Sequence, residues 1–133
     1  MADKLRPMVV PMESVPPVAA EQAVTKVRIA RLVTRKRCGS NLLLGVSWMD
    51  PGEETNTWSS REENDVAPGD HWYGPVDETY FIFRGRLRLT WDEGVLDLGP
   101  NDAVYLAPGW TYRLKNVGDE PAFFVYSMTP TPE

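Results

Sequence analysis

The sequence predicts an all-β fold, an antiparallel sandwich or barrel, and three observations carry that expectation. Segments of four to six residues alternate between apolar and polar side chains, as half-buried strands do. Turn residues recur about every ten positions, drawn from a chain with 10 Gly and 12 Pro in 133 residues. Rings are plentiful, with 5 Trp, 5 Tyr and 4 Phe, a bias that suits pleated surfaces. Helical periodicity never exceeds two turns and appears only weakly at 18–24.

The elements follow in order along the chain. Residues 1–24 carry Pro7, Pro11, Pro16 and Pro17 and little periodicity. They read as an extended Pro-rich arm that packs on the body or on a partner subunit. Residues 25–133 form a single domain. Its first strand runs through Val27, Ile29, Arg31 and Val33 on one face, with Arg28 and Leu32 on the other. Arg35-Lys36-Arg37 reads as a solvated turn. Residues 42–49 are a second strand, closed by Asp50-Pro51-Gly52. Residues 53–70 form a polar, acidic loop around Trp58, and so long a loop in a compact domain points to function. Strands at 79–83 and 86–91 flank Arg84-Gly85, a tight hairpin signal. Four more segments, 95–98, 103–106, 112–117 and 122–128, are separated by Gly-, Pro- or Asn-bearing turns.

Charge and composition exclude several classes. The formal net charge is −5. Residues 1–40 hold eight Lys/Arg against three acidic residues, a net of +5, so the remainder carries −10. An acidic body argues against a nucleic-acid surface, which needs clustered positive charge. No apolar run approaches the roughly 20 residues that a membrane-spanning helix needs. The lone Cys38 permits no internal disulfide, and the first residues lack the pattern of a secretory signal; a cytoplasmic protein is expected.

The segment His71-Trp72-Tyr73, then Glu78, then Gly85, and a second from Gly99 through Pro108-Gly109 to Tyr112 and Asn116, resembles the cupins. Cupins carry one motif of His-x-His, three or four residues, Glu, six residues, Gly. Their second motif is Gly, five residues, Pro-x-Gly, two residues, His, three residues, Asn. Six residues separate Glu78 from Gly85, and three separate Tyr112 from Asn116. The likeness covers residues 40–128 and implies a cupin-type antiparallel jelly-roll β-barrel. It also implies a homodimer paired through the N-terminal strands, across which the arm could swap.

The resemblance further implies a metal held by three His and one Glu, and carries those positions onto His71, Tyr73, Glu78 and Tyr112. Two of the three histidines are therefore tyrosine. Asp65 stands where a glycine is expected six residues before His71, and Pro108 and Gly109 are adjacent. A phenol has an unperturbed pKa near 10 and ligates only when the metal drives off its proton. Fe(III) does this best, so iron is favoured if the tyrosines ligate, with divalent Zn, Mn or Ni as the alternatives. Without a metal, His71 and Glu78 remain as an acid–base pair, with Tyr73 and Tyr112 as hydrogen-bond donors to a ligand.

Each of these residues has a plainer reading. A sole histidine is usually a satisfied surface residue, and Tyr73 and Tyr112 could simply fill the barrel. Glu78 alternates with apolar neighbours on a strand, where an unpaired carboxylate is costly, and reads as a site residue. Trp58 reads as core or rim packing, with substrate contact as the alternative. Arg84 reads as solvated, or as a ligand for a substrate carboxylate if its face curls inward. Two functions compete. One is a metal-dependent lyase, isomerase or dioxygenase acting on a small oxygenated or carboxylate substrate, with Glu78, Tyr73 and Tyr112 as catalytic groups. The other is a non-catalytic barrel that binds a small ligand and has lost its metal. Because the altered positions stay polar, the residues favour chemistry.

Overall fold

The computed structural model describes residues 4–19 and 27–132. Eleven strands are assigned among them. They are β1 (Val18–Ala19), β2 (Arg28–Val33), β3 (Leu43–Met49), β4 (Trp58–Ser59), β5 (His71–Trp72) and β6 (Asp77–Arg84), followed by β7 (Leu87–Trp91), β8 (Gly94–Leu98), β9 (Ala103–Leu106), β10 (Thr111–Asn116) and β11 (Ala122–Thr129). Two sheets result, in the orders β1-β2-β3-β11-β6-β9 and β5-β4-β10-β7-β8. All pairings are antiparallel except β4 with β5. This is the all-β jelly roll that the spacing of turns and the motif likeness imply.

Alternation decides what each strand buries. On β6, Glu78, Tyr80 and Ile82 are buried while Asp77, Thr79 and Phe81 are exposed. On β11, Ala122, Phe124, Tyr126 and Met128 face inward. β3 contributes Leu43, Gly45, Ser47 and Met49, and β10 contributes Tyr112, Leu114 and Asn116. The two inner faces close on one apolar core that includes Ile82, Leu87, Leu89, Leu106 and Leu114.

Register turns these alternations into rows across the large sheet. Arg31 pairs with Gly45, Gly45 with Tyr126, and Tyr126 with Tyr80. One row along, Leu43 pairs with Met128 and Met128 with Glu78. The sheet irregularity between Arg31 and Val33 ends β2 just beyond the first row.

The motif glycine and asparagine are structural. Gly85 has φ +94°, and a Cβ there would stand 2.7 Å from Ala122 Cα, so the β6–β7 hairpin passes too close to β11 for any side chain. Asn116 Nδ2 donates to the carbonyls of Met49 and Glu120, both at 2.9 Å, and its Oδ1 accepts from the Gly118 amide. It thereby ties β10 to the ends of β3 and β11.

Three local expectations are corrected. Arg35–Cys38 is a single helical turn, α1, because Thr34 Oγ1 accepts from the Arg37 amide and Gly39 closes the turn at φ 74°. Val18 begins a strand paired to Ile29 instead of a helix, while residues 20–24 lie outside the described residues. The 53–70 loop contains β4, too short to show any period. The arm lies on the body: Val10 and Val15 pack over Ala30, Leu32 and Val46 on the outer face of the large sheet.

Candidate active site

A cavity of about 60 Å³ lies between the sheets, lined by Arg31, Glu78, Tyr80 and Tyr126 from the large sheet, Trp58 from the small one and Tyr73 just beyond β5. Its apolar walls are Val27, Ile29, Leu114, Phe124 and Met128, and Ser47 and Thr55 add hydroxyls. A small ligand fits it.

Glu78 sits near the start of β6 and is only 5% exposed. Burial pushes its carboxyl up to about 8, opposed by a hydrogen bond from the Trp58 side chain. The indole N–H of Trp58 favours the charged form but does not offset the loss of solvation. Trp58 is itself buried, its ring 6.5 Å from that of Tyr80 and 5.9 Å from that of Tyr112.

The phenols are held in their protonated form. Tyr73 is raised well above the ordinary tyrosine value, first by burial and then by the charge of Glu78, while a hydrogen bond and charge from Arg31 act the other way. Tyr80 is raised by burial and by Glu78 in the same manner. Tyr112 is pushed up to about 12, again chiefly by burial.

The expected site residues separate into two groups. Glu78, Tyr73 and Trp58 line the cavity together. Tyr112 is buried beside Trp58, but its hydroxyl donates to the Ala107 carbonyl at 2.5 Å and does not line the cavity. His71 is half-buried on β5, its ring 4.5 Å from that of Tyr73, and does not line the cavity. Arg84 is exposed at the end of β6, six residues and about 20 Å of strand from Glu78. The guanidinium at the cavity belongs to Arg31.

Arg31, Tyr80 and Tyr126 escaped the sequence reading as site residues. Their signal was positional: Arg31 shares a face with Val27 and Ile29, Tyr80 follows Glu78 by two, and Tyr126 alternates with Phe124 and Met128. A charged residue in an apolar register was the one legible clue.

The family model described as a cupin domain matches residues 57–128, more than half of the chain. The chain belongs to the cupin family. Polyketide synthase CurC of Streptomyces cyaneus is 23% identical to this cupin over 128 residues, 96% of this chain and 73% of that protein. A predicted oxalate decarboxylase from Thermotoga maritima superposes with a TM-score of 0.73 at 15% identity, covering 92% of this cupin and 99% of that chain. The polyketide cyclase RemF from Streptomyces resistomycificus gives a TM-score of 0.70 at 14% identity, over 93% and 80% respectively. These structural likenesses share the fold.

The metal-ligand set carried over from other cupins fits the donors of this cupin poorly. Tyr112 has given its hydroxyl to Ala107, and Tyr73 shares a hydrogen bond with the Arg31 guanidinium, a cation that repels another. Both phenols are held above their ordinary value, which disfavours the phenolate that ligates. What remains at the cavity is a buried carboxyl, the phenols of Tyr73, Tyr80 and Tyr126, and a guanidinium, an arrangement suited to moving a proton and holding an oxygen.

Proposed function

We propose that this cupin is a small-molecule enzyme that moves a proton at a carbon beside a carbonyl group, with Glu78 as the acid–base residue. The observation that carries the reading is the Glu78 carboxyl on the cavity wall, buried, bonded to Trp58 and raised to about 8. A carboxyl poised near neutrality both gives and takes a proton without a large energetic penalty in either direction. Tyr73, at the same cavity, is placed to donate to a carbonyl oxygen on which negative charge develops. The apolar walls limit water and strengthen that interaction.

The likeness to CurC and RemF supports this chemistry, since polyketides carry ketones flanked by acidic C–H bonds. The cavity volume calls for a small substrate, or for the end of a larger one. A second reading, a ligand-binding barrel without turnover, is favoured by the engagement of the Tyr112 hydroxyl within the protein.

The test is proton exchange. Acetoacetate and pyruvate incubated with the protein in D2O are followed by 1H NMR for loss of the protons beside the carbonyl. The expected result is exchange faster than in buffer, abolished in Glu78→Gln. Binding without exchange would establish the second reading. Metal analysis of protein purified without chelator accompanies the assay. Stoichiometric metal, lost in Tyr73→Phe or Tyr112→Phe together with activity, would replace the acid–base reading with a metal-dependent one.

A further inference from the structure

The cavity is rich in donors. Arg31 brings a guanidinium, which has five N–H groups, no acceptor and a permanent charge. It is hydrogen-bonded to Tyr73. Tyr80 and Tyr126 extend the row begun by Arg31, and Tyr80 keeps its proton far above neutral pH. The register explains how Arg31 gains this place. Its partner on β3 is Gly45, and the next residue across is Tyr126. With no side chain on Gly45, the space above it is taken by the Tyr126 ring.

A second observation points the same way. On the other side of β2 lies a groove of about 570 Å³ whose lining includes Ile29 and Arg31 as well, together with Thr34, Lys36 and Arg37. Arg31 therefore belongs to both spaces. Arg37 is braced there by bonds from its guanidinium to the carbonyls of Arg31 at 2.7 Å and Leu32 at 2.8 Å. Arg31, Lys36 and Arg37 thus place three basic side chains along this groove, a local concentration of positive charge that favours anions.

We infer that Arg31 is the anion-recognition residue of this cavity and that the ligand is a small organic carboxylate. The guanidinium receives the carboxylate in the paired geometry that arginine offers and lysine does not. The carbon skeleton lies against Val27, Ile29, Phe124 and Met128. This deepens the proton-transfer reading and rests on it for the cavity being the working site: the carboxylate fixes the substrate at Arg31 and leaves its carbonyl carbon neighbours toward β6.

Calorimetry on the full chain tests it with acetoacetate and its neutral isostere acetoacetamide. Acetoacetate is expected to bind at least tenfold more tightly than the amide. Arg31→Gln should lose at least tenfold in acetoacetate affinity, Arg31→Lys should recover part of it, and Arg84→Gln should leave it unchanged. Equal binding of the two probes, unchanged binding in Arg31→Gln, or no acetoacetate binding up to millimolar concentration would each overturn the inference. Should Arg31→Gln fail to fold by near-ultraviolet circular dichroism, the comparison of the two probes on the unmodified chain and on Arg31→Lys decides. Binding through Arg31 without proton exchange would sink the catalytic reading alone. Exchange that proceeds equally well with the amide would sink the carboxylate alone.

Discussion

Tyr126 lies across Gly45. A Cβ built on Gly45 would stand 2.6 Å from the Tyr126 hydroxyl oxygen, so the ring occupies the place a side chain would take. The register pairs these two residues directly, and Arg31 faces Gly45 from the other neighbouring strand. Gly45→Ala should therefore push the ring toward Arg31 and fill the cavity. The expected cost is about 1–3 kcal/mol of stability, typical of overpacking, with at least a tenfold loss of acetoacetate affinity. Denaturant titration and calorimetry on the same preparation check both.

Glu78 makes stability depend on pH in a stated direction. Its folded value of about 8 lies above the ordinary carboxylate value of 4.5. Between those two values the native state holds a proton that the unfolded chain has lost, so stability falls as pH rises from about 4.5 to about 8 and levels off beyond. The neighbours that face this carboxyl are Trp58, which opposes the shift, and Tyr73, Tyr80 and Tyr112, which stay protonated throughout. Glu78→Gln should remove this dependence, a difference of a few kcal/mol across the window, and be relatively more stable at pH 9. Melting temperatures from pH 5 to 9 for both chains would show it; identical slopes would refute it.

Trp58 sets the working pH of the same group. Its side chain supplies the bond that lowers the Glu78 value. Trp58→Phe keeps a ring in the core and removes that donor, so the pH–rate profile for proton exchange should move to higher pH while acetoacetate binding through Arg31 persists. An unmoved profile would take Trp58 out of the mechanism.

Gly85 separates folding from chemistry. With φ +94° and Ala122 Cα 2.7 Å from the position of a Cβ, Gly85→Ala strains the backbone and forces the hairpin away from β11. A loss of about 2 kcal/mol or more is expected. Exchange per folded molecule should remain that of the unmodified chain, because the hairpin lies at the far end of β6 from the cavity.

Much of this architecture is legible along the chain. β7, β10 and β11 appear where alternation places them because each is long enough to show its period, and turn residues on either side mark β8 and β9. β4 and β5 are two residues each and have no period to read. Counted back from Tyr112, the second motif puts its first glycine at Asn101, which adopts a left-handed φ of 70°, and its proline at Ala107. The ladder then seats Tyr112 opposite Trp91 and Trp58. What no spacing reveals is where a hydroxyl points. The destination of Tyr112 is a carbonyl in the turn just before its own strand, and that depends on packing. Arg31 was written in the pattern of β2, but its meaning comes from Gly45 on the neighbouring strand, a relation that only the register supplies.

The arm has a consequence of its own. Val18 and Ala19 occupy the outermost backbone of β2, and Val10 and Val15 shield Ala30, Leu32 and Val46 from water. A chain cut after residue 19 would offer solvent both a bare strand edge and an oily surface, the two ingredients of edge-to-edge aggregation. Proteolytic nicking of this segment would be felt first as precipitation, with the chemistry inside the barrel still intact.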